Sequence, residues 1–297
     1  MKRFEEIRAR LIELLADPAI SLTEAALEIA RLEYPRLDSS STREALARLG
    51  ERAAARVETL GVPGGAPRDR VRALNDVLYD EAGFEGDREH YDDVRNSCLN
   101  AVVARRRGIP ITLALVYMDI AARAGLTVRG VSFPGHFLVR CDGEGHHDDL
   151  ILDPFTGGVE LSETDCRRIL MNHMGDDAVF GRALLEPAPP KAIVERMLTN
   201  LKRLYVRQQA FADARRATDL LLALDPSAAD ERRDRGLLSF HLGDMPAALR
   251  DLEQYLQEQR LFDSLTPNQT SEPSEPSEPD RIWEHVKTLR RRVASFN

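Results

Sequence analysis

The sequence predicts an α+β protein with a helical N-terminal region, a core holding a small antiparallel sheet, and a C-terminal run of paired helices. Three observations predict it. Apolar residues recur every three or four positions from residue 1 to about residue 58. Three short segments between residues 128 and 152 are rich in β-branched and aromatic residues and bounded by Gly, Pro and Asp. Beyond the run Glu186-Pro187-Ala188-Pro189-Pro190, helical spacing returns with a repeat of thirty-four residues.

Phe4, Ile7, Leu11 and Leu14, then Ala25, Leu27, Ala30 and Leu32, mark amphipathic helices. Ser21 with Glu24 three residues on predicts a capping box, in which each side chain satisfies an orphan backbone N–H. The Gly- and Pro-rich stretch 61–67 predicts a loop that closes the N-terminal region, 1–67. Val71, Leu74, Val77 and Leu78 predict a helix over 68–81 that opens the core region, 68–185. Helices over 97–106 and 110–124 follow, separated by Gly108, and then strands over 128–133, 137–141 and 150–152. Ser162 and Asp165 predict a capped helix to about His173.

The proline run lacks backbone donors and fixes several φ angles, so it is the expected domain boundary. In the repeat region, 191–260, two helix-turn-helix units are expected over 191–224 and 228–258. Leu201, Tyr205, Ala214 and Pro226 are followed at that period by Arg235, Ser239, Ala248 and Arg260. Gly236, Gly243 and Ala248 fall where a tetratricopeptide unit wants small residues. The triplet SEP occurs three times over 271–279, and a segment without apolar residues cannot offset its chain entropy, which predicts a disordered linker over 261–280. Ile282, Trp283, Val286, Leu289 and Val293 share a stripe, predicting a terminal amphipathic helix over 281–297 that docks back or meets a partner.

With 297 residues, 43% hydrophobic and 30% charged, the chain is ordinary for a soluble protein of two domains. Its net charge of -8 disfavours nucleic acid binding while leaving room for a local basic patch. Cys98, Cys141 and Cys166 form no CxxC pair, which fits a reducing, cytoplasmic setting without disulfides or zinc. Glu5, Glu6 and Glu13 interrupt the first apolar residues, against a signal peptide, and no run reaches the roughly 20 apolar residues of a membrane span.

The chemistry centres on RRGIPITLALVYMDIAARAGLTVRGVSFPGHFLV and the following LILDPF. These resemble the transglutaminase-like superfamily, whose triad joins a Cys at a helix start to a strand His and a strand Asp. The resemblance implies a papain-like core, with His136 and Asp153 at the His and Asp positions. The landmarks Gly108, Ala114 and Gly125 place Pro110 where the nucleophile would stand. Proline has no lone pair to attack with, yet it suits the first helical turn, so the fold is kept and the reaction lost. The phrases NSCLNAVVARRRGIPITLALVY, FPGHFLVR and DPFTGG are similar to the bacterial SirB family, which implies a transglutaminase-like domain lacking the Cys, tetratricopeptide repeats after it, and an association with gene regulation.

His136 and Asp153 therefore read either as a base and its orienter or as a buried pair serving the core. Thr112 and Cys98 are the two substitutes for the missing thiol. Against them, Thr so placed usually bonds its own backbone, and a lone Cys on an apolar helix is usually a buried hydrophobe. Asn96, Arg107, Pro110 and Thr112 are candidates for lining the cleft. The run Arg105-Arg106-Arg107 is either an anion site beside the Pro110 helix start or a solvated helix end. His146-His147-Asp148-Asp149 carries metal-ligand atoms but reads as a hairpin loop, and no phosphate-loop or dinucleotide fingerprint follows Gly157-Gly158, so neither a metal nor a cofactor is expected. The expected function is that of a non-catalytic scaffold or regulator, its cleft holding a peptide or acidic group and its repeats a protein partner. A cysteine-dependent hydrolase or acyl transferase using Cys98, His136 and Asp153 is the alternative.

Overall fold

A computed structural model describes residues 2–17, 20–60, 66–143 and 149–265, together with 278, 281–282, 285–287 and 289–290. Helices α1 (Lys2–Ala16), α2 (Leu22–Ala30) and α3 (Ser40–Glu58) lead into α4 (Pro67–Asn75), which continues as a π-helical turn over Asp76–Glu81. A two-residue strand β1 (Glu85–Gly86) and a short 3₁₀ turn (Val94–Ser97) precede α5 (Leu99–Arg105). Strand β2 (Arg107–Gly108) pairs in parallel with β1 and runs into α6 (Pro110–Arg123).

Strands β3 (Val128–Val131), β4 (Leu138–Cys141), β5 (Leu150–Asp153) and β6 (Val159–Glu160) form an antiparallel sheet in that order. The last elements are α7 (Glu163–Met174), α8 (Pro190–Arg207), α9 (Phe211–Leu224), α10 (Ala229–His241) and α11 (Met245–Leu265).

The chain divides into two compact units, Met1–Met197 and Leu198–Asn297. The division falls inside α8, seven residues beyond the proline run. The physical reason is that the first turns of α8 pack on the first unit: Ile193 lies against Gly130 of β3, and the Ala188 N–H donates to the Gly130 carbonyl at 2.8 Å.

In the first unit α6 is the spine, with every residue from Pro110 to Tyr117 buried. Its N-terminal half is buried all round, as expected of a helix enclosed by protein. It packs against α3 on one side and β3 and β4 on the other. Alternate residues of the strands face opposite ways. Leu138 thus joins Val131 and Phe133 against Cys166 and Leu170 of α7, while Val139 and Cys141 are buried on the face toward α6.

The Ser21 side chain accepts from Glu24 N at 3.3 Å, but the Glu24 carboxylate turns to Arg43 at 2.7 Å instead of closing the box. A guanidinium fork outcompetes a single backbone N–H for a carboxylate. The box at Ser162 and Asp165 forms in both directions.

The second unit holds the C-terminal part of α8 with α9, α10 and α11; α10 packs against both α9 and α11, and Ala214 and Ala248 are fully buried. Helix α11 runs on to Leu265, so residues 261–265 are helical where a linker was expected. The rest of that segment to residue 277 and the loop 144–148, with His146, His147 and Asp148, lie outside the described residues. Ile282, Val286 and Leu289 are buried against Ala248, Leu252, Tyr255 and Leu256 of α11, so the terminal segment docks back. Trp283 and Val293 lie outside the described side chains. Among the described residues no helix is long and apolar enough to cross a membrane.

Candidate functional site

The antiparallel register that sets Val139 opposite Leu152 also brings the turn before β4 beside the end of β5. His136 sits in that turn, its N–H bonded to the Phe133 carbonyl at 3.1 Å, two residues before the strand. Gly135 makes the turn possible, with φ +72°, and any Cβ there would also lie 2.3 Å from the His173 Cβ. The result is a 3.0 Å contact between His136 Nε2 and Asp153 Oδ1.

Asp153 is 3% exposed and its carboxylate is fully engaged. Oδ1 also accepts from the Phe155 N–H at 3.0 Å and Oδ2 from the Thr156 hydroxyl at 2.8 Å. Burial raises its pKa, but the His136 hydrogen bond and charge, with the Thr156 and Phe155 donors, outweigh that and hold it below the ordinary value. The loop is anchored from behind. Tyr79 donates to the Pro154 carbonyl at 3.0 Å, and Tyr117 of α6 holds Asn75, which donates to the Gly158 carbonyl at 2.9 Å. Gly158, at φ +69°, has no room for a Cβ beside Asn75.

The outer rim is aromatic. The His136 ring lies edge-on to Phe155 at 6.0 Å and parallel to the exposed His173 at 6.2 Å, and Phe155 in turn meets Tyr91 and lies under the Arg88 guanidinium at 5.4 Å. Chemically, this is an imidazole whose tautomer and orientation are set by a carboxylate. Sequence reasoning missed Phe155, Thr156, Tyr79, Asn75 and His173. An Asp followed by bonds from its second and third successors is an Asx-type turn, legible in Asp153-Pro154-Phe155-Thr156. His173 had no local signal.

The other candidates lie elsewhere. Thr112 is fully buried, its hydroxyl donating to the Asn96 carbonyl at 2.7 Å and accepting from Ile109 N at 3.2 Å. It caps the helix that Pro110 starts. Asn96 is fully buried as well, donating to Asp87 and to the His90 carbonyl and accepting from Arg105 at 2.9 Å.

The three arginines diverge, so Arg105, Arg106 and Arg107 do not converge on one anion. Arg105 turns to Asn96 and Asp87, Arg107 to Glu85 at 2.5 Å, and Arg106 over the Phe84 ring at 4.7 Å. Adjacent residues at a helix end leave in different directions because the chain changes conformation there, Arg106 being left-handed at φ +61°. Cys98 is fully buried with Ala30, Ala101, Tyr34 and Leu37, and burial pushes its thiol up to about 12, with Glu33 and Asp93 adding to the rise. Among the described residues no three His, Cys, Asp or Glu side chains converge as a metal site requires.

The transglutaminase-like superfamily matches residues 40–199, and a tetratricopeptide repeat family matches residues 201–270. A UPF0162 protein of Xylella fastidiosa strain Temecula1 is 39% identical over 246 residues, covering 81% of this chain and 85% of that one. Its namesake in Vibrio cholerae is 30% identical over 239 residues, 80% and 86% of the two chains. Human F-box only protein 21 is 31% identical over 223 residues, 72% of this chain but 34% of that protein. No solved structure matches. With these matches spanning both units, the chain belongs to the UPF0162 family, a transglutaminase-like superfamily domain followed by tetratricopeptide repeats.

Proposed function

We propose that the protein is a non-catalytic scaffold that holds a protein partner in its repeats. The observation that carries this reading is a groove of about 650 Å³ in the repeat unit. Val206, Phe211 and Leu237 line it together with Arg203, Arg207 and Asp230. An apolar floor gives a buried anchor its affinity, and charges at the rim orient it. Phe211 is held in place by stacking on His241 at 4.6 Å, and Lys202 is already neutralised by Glu231 and Asp234 at 2.7 Å, so the groove is preorganised.

In the first unit, Pro110 stands at the nucleophile position of the resemblance, and the His136–Asp153 pair serves as an orienting or structural pair. In full-length protein, Phe211→Ala and Val206→Glu should each weaken capture of the partner about tenfold or more, with Arg8→Glu as an unaffected control. Partner capture unchanged in both groove variants would sink the reading.

The 3.0 Å His136–Asp153 contact favours a second reading, a cysteine hydrolase or acyl transferase. A nucleophilic thiol needs a lowered pKa, and burial drives Cys98 the other way. An electrophilic thiol probe at neutral pH should leave Cys98 unlabelled in the folded chain. Rapid labelling that disappears in His136→Ala would instead support the hydrolase.

A further inference from the structure

Arg106 is held in three ways that its neighbours in the arginine run are not. It adopts the left-handed conformation that ends α5, φ +61°, a place where glycine or asparagine is usual and a longer side chain is strained. Its guanidinium lies on the Phe84 ring at 4.7 Å, which covers one face and fixes its direction. Its Nη1 is buried without a hydrogen-bond partner among the described residues. Buried donors are nearly always satisfied, and leaving one bare on a cation costs more than on a neutral group.

The surroundings sharpen the point. Helix α3 packs against α5 and presents Arg48, Arg52 and Arg56 one turn apart. Arg52 and Arg56 share the carboxylate of Glu81, and Arg48 pairs with Glu44 at 3.8 Å. Burial lowers the Arg106 pKa first, and repulsion from Arg52 and Arg48 lowers it further, with no carboxylate acting the other way. The neighbouring charges that act on Arg106 are thus the guanidiniums of Arg52 and Arg48, beside a bare N–H.

We propose that Arg106, with Arg48 and Arg52 beside it, is a binding site for a phosphoryl group. A phosphoryl dianion is opposite in charge to these guanidiniums and offers three acceptor oxygens to their forks, where a carboxylate offers two. The site lies in the first unit, is independent of the repeat groove, and uses neither His136 nor Asp153. The phosphoryl group belongs either to a free phosphate or to a phosphomonoester on a larger ligand, and the same guanidiniums take both.

Two variants separate the site from the fold. Arg106→Gly removes the guanidinium while relieving the positive φ, so it should fold at least as well as the parent. Arg52→Gln removes a neighbouring charge at a half-exposed position. Calorimetric titration of the full chain with inorganic phosphate, and separately with O-phosphoserine, should show saturable binding that acetate at equal ionic strength does not compete away. Tighter binding of O-phosphoserine than of phosphate identifies a phosphomonoester as the ligand; the reverse order identifies the free ion. Arg106→Gly should weaken both about tenfold or more, and Arg52→Gln should weaken them less. Unaltered phosphate binding in a folded Arg106→Gly chain, or no saturable phosphate binding by the parent, would overturn the proposal.

Discussion

Asp153→Ala should destabilise the first unit by about 3 kcal/mol, because it strips a buried carboxylate from three donors at once. His136 Nε2, the Phe155 N–H and the Thr156 hydroxyl would each lose the partner they hold at 2.8 to 3.0 Å. The cost is not confined to those bonds, since the loop is also tied to Tyr79 and Asn75 and cannot simply collapse. Hydrogen exchange of backbone amides over residues 150–160 is the direct measurement, with protection expected to fall sharply while repeat-unit amides stay unchanged.

The same carboxylate gives a pH signature. Its folded pKa lies below the ordinary value of about 3.9, so its stabilisation is fully present above that value and is lost as pH falls through the folded one. The parent should therefore lose more stability on acidification below about pH 4 than Asp153→Asn, which has no charge to neutralise. Equal acid sensitivity in the two chains would show that the carboxylate is not held in this way.

Gly236→Leu should destabilise the repeat unit by about 3 kcal/mol, the second large effect. Even a Cβ at Gly236 would lie 2.8 Å from Cγ and Cδ2 of Leu252, which is fully buried and has no direction in which to retreat. Gly236→Ala sets two effects against each other. Alanine gains about 0.5–1 kcal/mol of helix propensity over glycine, but the overlap with Leu252 forces α10 and α11 apart, so a smaller net loss is expected. Denaturant unfolding followed by hydrogen exchange over 229–260 distinguishes the units. Leucine tolerated without loss of protection there would contradict the packing described.

Much of this architecture was legible because it rests on local patterns. The spacing of Val71, Leu74, Val77 and Leu78 marked α4 and its π-helical extension, and the small residues at Gly236 and Ala248 marked where repeat helices meet. The order of His136 and Asp153 in the chain pointed to the pair that the register brings together. What stayed hidden depends on partners distant in sequence. The two-residue pairing of β1 with β2 has no periodicity to read, and Glu24 left its capping box for Arg43 nineteen residues away. Three consecutive arginines look alike in sequence, and only the left-handed turn at Arg106 sends them to different neighbours. Likewise Thr112 is a hydroxyl near Pro110 in sequence, but its proton is committed to the Asn96 carbonyl.

The seat of Ile282, Val286 and Leu289 on α11 bears on how the molecule behaves in a crowded solution. A stack of helical repeats ends in a greasy face that invites the next repeat, whether from its own chain or a neighbour's. Here Leu252, Tyr255 and Leu256 of α11 are covered by Ile282, Val286 and Leu289 of the same chain. A shortened chain stopping at residue 270, where the repeat match ends, would uncover Leu252, Tyr255 and Leu256 and offer them to a second molecule.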